Sequence, residues 1–169
     1  IGSTDYVRIR TGQRDIFDDK YGRPEIPVVR FMIELPVSKN DVTASIEIVD
    51  SDEHPLGFPI IPRTSYDNTV PDHPATDFYW SLNHPYPAQQ VRIRSVTNWG
   101  WKRVAEVEVV PFTYQHTGHS SNYSWFKAVR RATIRLNFGV SDAQLVIPPG
   151  VPYSWEMDAA MQQKLLNFH

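Results

Sequence analysis

The sequence predicts an all-β protein: an antiparallel β-sandwich of jelly-roll-like form, with a short C-terminal helix. Apolar and charged residues alternate along most segments before residue 140, which is the period-two pattern of strands with one solvent-facing side. Turn-forming residues separate these segments. One long excursion between strands favours the jelly-roll form of the sandwich.

The alternating segments place the strands in order along the chain. Strands are expected at residues 6–10, 27–35, 42–49, 58–61, 90–97, 102–110 and 125–138. The run 50–55 is expected to end the third strand, because Asp, Ser and Pro favour turns. A helix competes with a strand near 125–131, but Thr133, Ile134 and the preceding turn favour a strand.

The C-terminal residues predict a short amphipathic helix after a proline-rich linker. Ser154 suits the N-cap position, and Glu156 and Asp158 fall in the first turn, where the helix dipole favours negative charge. The apolar stripe is expected at Trp155, Ala159 and Leu166, with Met161, Leu165 and Phe168 beside it. The chain therefore divides into a β-sandwich at residues 1–147 and a linker with a helix at residues 148–169.

The composition excludes several classes of protein. The 169 residues contain no cysteine, which excludes a disulfide scaffold, a thiolate metal site and a cysteine nucleophile in this chain. The net charge of −2 argues against a nucleic-acid or membrane surface, and no apolar run is long enough to span a membrane. The chain starts at Ile1 without Met, so we expect a processed or trimmed piece of a longer protein.

No catalytic residue, metal or cofactor is predicted. The sequence lacks a glycine-rich phosphate loop, a His-Glu-x-x-His motif and a nucleophile elbow, although a dispersed triad stays open. His116 and His119 can clip a metal, but no third ligand is near them in sequence. The acidic run 50–53 can hold calcium, but it lacks the other spaced oxygen ligands of a calcium loop, so a plain acidic turn is expected.

Two further groups of side chains have alternative interpretations. Several arginines at solvent-facing strand positions can form a basic patch, but the balanced charge favours pairing with glutamates across strands. These arginines are Arg8, Arg10, Arg92, Arg94, Arg130, Arg131 and Arg135. Four aromatic residues can form a sugar-binding platform, which makes an extracellular carbohydrate-binding or adhesion module the alternative function: Tyr79, Trp80, Trp99 and Trp101.

The stretch 62–90 predicts a long loop between strands. It contains five prolines and few β-branched residues, and loops of this length in compact domains are usually functional or disordered. Its aromatic residues favour a docked loop, since disordered stretches are poor in aromatics. These residues are Tyr66, Phe78, Tyr79, Trp80 and Tyr86.

Three motifs carry a resemblance to a known family. The first is the strand entry Gly22-Arg23-Pro24-Glu25-Ile26-Pro27-Val28-Val29. The second is the stretch 56–62 followed, after the long loop, by Tyr86-Pro87. The third is the stretch 101–114, which ends in Val-Val-Pro-Phe-Thr-Tyr, together with the basic-aliphatic segment 130–138. In their order and spacing, over about residues 20–140, they resemble the N-terminal prodomain of gingipain-type cysteine peptidases, which have a caspase fold.

The resemblance implies a function without catalysis. It implies a secreted bacterial propeptide, in the periplasm or at the cell surface, that keeps a cysteine protease zymogen latent and assists its folding and secretion. The partner is then the cognate catalytic domain, which lies outside this chain and follows the helix.

Under this resemblance, the long loop is the segment that covers the active-site cleft. Arg63 is its candidate anchor, because no Lys or Arg occurs between Thr64 and Val91 and an arginine fork pairs well with a pocket carboxylate. Arg63 can also be a plain strand end. If the cognate protease is not trypsin-like, the alternative anchor is Tyr66 or another residue of the loop. The expected inhibitory residues are Arg63, Thr64, Ser65, Tyr66 and Asp67, and the expected docking residues are Phe78, Tyr79, Trp80 and Trp155.

Overall fold

The computed structural model describes residues 5–11, 16–17, 22–36, 41–63, 84–116, 124–139 and 154–166. Within them the chain forms seven strands and one helix: β1 Ile16–Phe17, β2 Pro27–Leu35, β3 Val42–Leu56, β4 Val91–Trp99, β5 Lys102–Val109, β6 Phe112–His116, β7 Ser124–Phe138 and α1 Trp155–Lys164. The strands form two antiparallel sheets, ordered β1-β2-β5-β4 and β3-β7-β6. The predicted all-β sandwich with a short C-terminal helix is confirmed.

The chain divides into two compact units, and β2, β3 and β7 contribute residues to both. Unit 1 comprises Ile1–Val29, Ile48–Gln90 and Val110–Ala132. Unit 2 comprises Arg30–Glu47, Val91–Val109 and Thr133–His169. No described helix in either unit is both long and apolar enough to cross a membrane.

Unit 1 has a core to which both sheets contribute. Val28 of β2 meets Tyr114 of β6 and Phe126 of β7, and the rings of Phe112 and Phe126 stack with centroids 5.0 Å apart. The alternation of inward and outward side chains along a strand explains why these positions are buried. The remaining buried members of the core are Ile26, Ile60 and Val110.

Unit 2 has a second core of the same kind. Its buried members alternate along β2 and β5, and β4 adds one more. Even-numbered residues of β3 and β7 pack against them from the other sheet. The buried members are Ile33, Leu35, Val91, Ala105, Val107 and Val109, and the packed residues of β3 and β7 are Val42, Ala44, Ile46, Ile134 and Leu136.

The helix α1 belongs to unit 2 and begins as predicted. The Ser154 hydroxyl accepts a hydrogen bond from the Met157 N–H at 3.3 Å, which caps the first turn. The predicted stripe is wrong, because Trp155 and Leu166 are about 70% exposed. The face that packs is offset from it and consists of Met157, Met161 and Leu165.

Three strand predictions are also wrong. Residues 58–61 do not form a strand and have only an isolated bridge at Ile60. The third strand does not end at residue 49, because β3 continues to Leu56 and its acidic residues pair with cations of β7. Residues 6–10 do not form a continuous strand. Only Val7 forms a bridge, in parallel with Ile60, through backbone hydrogen bonds of 2.9 Å.

Candidate functional site

Most of the predicted inhibitory and docking residues belong to the stretch 64–83. The residue before this stretch, Arg63, is held by backbone hydrogen bonds in unit 1. The Arg63 N–H donates to the Arg23 carbonyl at 2.8 Å, and the Gly22 N–H donates to the Arg63 carbonyl at 3.0 Å. Just before it, Pro62 is buried and bridges Pro24. The backbone is therefore held up to the last described residue before the stretch.

The chain is fixed again soon after that stretch, also in unit 1. Tyr86 and Tyr114 form an antiparallel bridge in which each N–H donates to the other residue's carbonyl at 2.7 Å. Tyr114 is fully buried, and its burial raises the pKa of the phenol, partly offset by its hydrogen bonds with Ser124 and the Ile60 backbone. Both ends of the predicted loop thus rest on the same unit.

A buried polar pair lies beside this second anchor. His116 and Ser124 are cross-strand partners at one end of the β6–β7 ladder, and His116 Nδ1 lies 2.6 Å from Ser124 Oγ. The Tyr114 hydroxyl lies 3.4 Å from the same Oγ. Ser124 is only 2% exposed and His116 only 3%, so the pair lies in the interior of unit 1. His119, which the sequence pairs with His116 as candidate metal ligands, lies outside the described residues.

The Arg63 side chain lies back against unit 1. Its guanidinium carbon is 5.7 Å from the centroid of the Phe17 ring, which is within the range of a cation–π contact. The Nε atom is buried and has no hydrogen-bond partner among the described residues. Arg63 is therefore a partly buried residue at the foot of the predicted loop.

The other predicted site residues divide into two groups. Trp155 lies in the first turn of α1 and is 69% exposed, as a docking residue requires. The rest lie outside the described residues: Thr64, Ser65, Tyr66, Asp67, Phe78, Tyr79 and Trp80.

The acidic run 50–53 has cationic partners in unit 1. It lies on β3, where Arg130 pairs with Asp52 and Lys127 Nζ lies 3.3 Å from Glu53. In the described part of the chain no three His, Cys, Asp or Glu side chains come close enough together to hold a metal ion. The acidic residues of this run therefore form ion pairs between β3 and β7.

Glu108, one of the glutamates expected to face the arginines from a solvated sheet face, is instead buried in unit 2. Glu108 lies on the central strand β5, is 1% exposed, and accepts hydrogen bonds from Arg30 at 2.8 Å and Arg94 at 2.9 Å. Arg92, its cross-strand partner, forms an ion pair with the other oxygen. Burial by itself would raise the pKa of Glu108, but the Arg94 and Arg30 hydrogen bonds and the Arg92 charge outweigh it and lower the pKa.

The predicted pairing of arginines with glutamates is confirmed for Arg92 and Arg94 by these contacts, and for Arg135 by its 2.7 Å ion pair with Glu47. The alternation of residues along β5 could not indicate that Glu108 is buried. Its burial depends on partners from other strands, such as Arg30, which is 78 residues away in sequence.

The proposed sugar platform is not assembled by the described residues. Trp99 packs against the cluster that holds α1 in unit 2, and both Trp99 and Trp101 are partly buried. Tyr79 and Trp80 lie outside the described residues.

Comparison with known proteins gives a likeness of fold. No family model matches the sequence, and no curated protein matches it. Among solved structures, the chain is similar to a chain of the complex of Porphyromonas gingivalis RgpB pro- and mature domains. That match has a TM-score of 0.67 and 11% identity, and covers 91% of this chain and 77% of the other.

A second solved structure has the same kind of likeness. It concerns the zymogenic latency of gingipain K from Porphyromonas gingivalis. The TM-score is 0.52 and the identity is 18%, over 74% of this chain and 70% of the other. The resemblance to gingipain-type prodomains inferred from the sequence is thus confirmed at the level of the fold.

Proposed function

We propose that the chain is the propeptide of a gingipain-like cysteine protease. It keeps the zymogen latent by covering the active-site cleft with the loop that follows Arg63, and it assists folding and secretion. The observation that carries this proposal is the likeness of fold to the complex of RgpB pro- and mature domains, over 91% of this chain. The likeness to gingipain K, in a structure concerned with zymogenic latency, supports the same role.

The anchored ends of the loop support a pocket-filling role. Backbone hydrogen bonds hold Arg63 at one end and Tyr86 near the other, both in unit 1. A segment whose ends are already held loses less conformational freedom when it binds, so more of its contact energy appears as affinity. In this proposal Arg63, Thr64, Ser65, Tyr66 and Asp67 form the inhibitory segment. Either Tyr66 enters the protease pocket, or Arg63 does so after its guanidinium leaves the Phe17 ring.

The composition is consistent with a propeptide that binds the protease while the protease performs the catalysis. A cysteine protease needs a thiolate nucleophile, and this chain has no cysteine. The nucleophile is therefore supplied by the partner, and the propeptide contributes binding only. The proposed setting is the periplasm, the cell surface or the exterior of a bacterium.

The docking surface is proposed to include Trp155. An exposed indole can bury a large area in a partner's pocket, and tryptophan is enriched among residues that dominate binding energy. Phe78, Tyr79 and Trp80 are proposed as further contacts of the loop with the protease.

The test uses the full chain and its cognate caspase-fold protease, sought as a His- and Cys-containing domain in the same reading frame. The purified chain is expected to inhibit the mature protease at sub-micromolar concentration and to co-elute with it. Arg63→Ala is expected to raise the inhibition constant about 30-fold, the effect of a hot spot of about 2 kcal/mol. Arg135→Ala, which changes an exposed arginine in unit 2, serves as the matched control.

The outcomes separate the role of the chain from the role of one residue. Absence of both inhibition and a complex would refute the propeptide function. Full inhibition by both variants would remove Arg63 from the pocket and transfer the anchoring role to Tyr66, which Tyr66→Ala then tests.

A further inference from the structure

All three methionines of the chain lie in one cluster. The sequence contains Met32, Met157 and Met161, and no other methionine. In unit 2 they pack together with Val104, Leu165 and Trp99, where α1 rests on the sheet. Thioethers therefore form a large part of the contact between the helix and the strands.

The helix buries little of its own surface. Met161 is the one buried residue between Trp155 and Lys164, and Leu165 follows directly after the helix. A backbone hydrogen bond also joins the Leu166 N–H to the Met32 carbonyl, at 3.1 Å. The attachment of α1 thus depends on the apolar character of a few sulfur-containing side chains.

Met157 also makes a close approach to the β4–β5 turn. Gly100 has a φ of +60°, and a Cβ placed on it would lie 2.5 Å from Met157 Sδ and 3.2 Å from Met161 Cε. The absence of a side chain at Gly100 is what makes room for this sulfur. An additional atom on the Gly100 side of the sulfur would have no space.

We propose that Met157 is an oxidation site, and that its conversion to methionine sulfoxide by a peroxide releases α1 from the sheet of unit 2. The thioether sulfur gives up two electrons and forms a bond to one peroxide oxygen as the O–O bond breaks. With hydrogen peroxide, the second oxygen leaves as water. Met157 is partly exposed whereas Met161 is fully buried, so Met157 reacts first of the two helix methionines.

The sulfoxide disturbs the contact in two ways. Its oxygen is a polar acceptor, and burying it among Val104, Leu165 and Met161 without a donor is unfavourable. Its oxygen also adds volume beside Gly100, where the packing is already close. Both effects are relieved when the helix leaves the sheet. This inference does not depend on the proposed function.

Leucine and glutamine variants distinguish an oxidation site from simple gap filling. Leucine preserves the apolar volume but cannot be oxidised, and glutamine imitates the polar sulfoxide without peroxide. The full chain, Met157→Leu and Met157→Gln are each treated with hydrogen peroxide. Peptide mass spectrometry locates the added oxygen, and amide hydrogen exchange over residues 155–164 measures attachment of the helix.

The expected result is oxygen on Met157 of the unmodified chain and at least about tenfold faster amide exchange in α1. Met157→Leu keeps slow exchange after the same treatment, Met157→Gln shows fast exchange before it, and methionine sulfoxide reductase restores slow exchange in the oxidised chain. The proposal is overturned if Met157 resists peroxide, if its oxidation leaves the exchange unchanged, or if Met157→Leu responds as the unmodified chain does.

Discussion

Tyr86 and Tyr114 exchange two backbone hydrogen bonds of 2.7 Å and thereby fix the return of the predicted loop to unit 1. Tyr114 is fully buried, and its hydroxyl approaches Ser124, which in turn contacts His116. The residue that holds the loop's end is therefore itself part of a small buried polar network. In the proposed function, this network belongs to the base from which the inhibitory segment extends.

The first prediction concerns that network. Ser124→Ala removes the hydroxyl that contacts His116 Nδ1 at 2.6 Å, and the imidazole cannot regain this bond from water because it is buried. We expect the free energy of unfolding to fall by about 2 kcal/mol, measured by urea denaturation. Ser45→Ala, at an exposed position of β3, is the control and is expected to change stability by less than about 0.5 kcal/mol. Equal stability of the two variants would contradict the assignment.

The second prediction concerns the buried carboxylate of unit 2. Glu108→Gln removes the negative charge that Arg30, Arg92 and Arg94 surround, and leaves the three cations to repel one another. We expect a loss of about 3 kcal/mol in the free energy of unfolding at neutral pH. Glu47→Gln breaks an exposed pair with Arg135 and is expected to cost at most about 0.5 kcal/mol. A cost for Glu108→Gln as small as that of the control would show that the cluster does not stabilise the fold.

The third prediction follows from the lowered pKa of Glu108. Because the pKa in the folded state lies below its ordinary value of 4.5, the ionised carboxylate stabilises the fold fully above that pH. The stabilisation is lost as the pH falls through the pKa of the folded state. We therefore expect the stability difference between the unmodified chain and Glu108→Gln to shrink as the pH falls below 4.5. A difference that is constant or grows on acidification would contradict the sign of the shift.

The fourth prediction concerns the packing of α1 against Gly100 in the β4–β5 turn. Gly100→Ala places a Cβ 2.5 Å from Met157 Sδ and requires alanine to adopt a φ of +60°. The conformation alone costs roughly 1 kcal/mol, and the steric contact adds to it, so we expect a loss of about 2 kcal/mol. Gly57→Ala meets no atom within 4 Å and is the matched control. Similar thermal denaturation of the two variants would rule out a tight contact at Gly100.

Much of the fold could be predicted from the sequence, because local patterns reflect local physics. Alternation along 27–35 and 102–110 predicted β2 and β5, and Ser154 followed by acidic residues predicted the start of α1. The turn preference of 50–55 failed as a predictor because pairing along β3 and β7 overrides it, with Arg130 and Lys127 facing the acidic residues.

The remaining features depend on contacts between distant residues. The helix has apolar residues on more than one side, so its sequence alone could not indicate that Met157 and Met161 pack while Trp155 stays exposed. Similarly, Arg63 was identified as a basic residue beside a long loop, but its position over Phe17 depends on the pairing of residues 22–25 with 61–63. Such pairings join segments that no short window of sequence contains.

The central claim, that the chain covers the active site of a cysteine protease, is tested most directly by labelling the catalytic cysteine. The cognate mature protease is treated with a covalent active-site probe, with and without an equimolar amount of the full chain. The proposed function predicts that the chain slows labelling by at least about tenfold, and that the probe bound first prevents the complex from forming. An unchanged labelling rate in a mixture that contains the complex would contradict coverage of the cleft, even if the two proteins bind elsewhere.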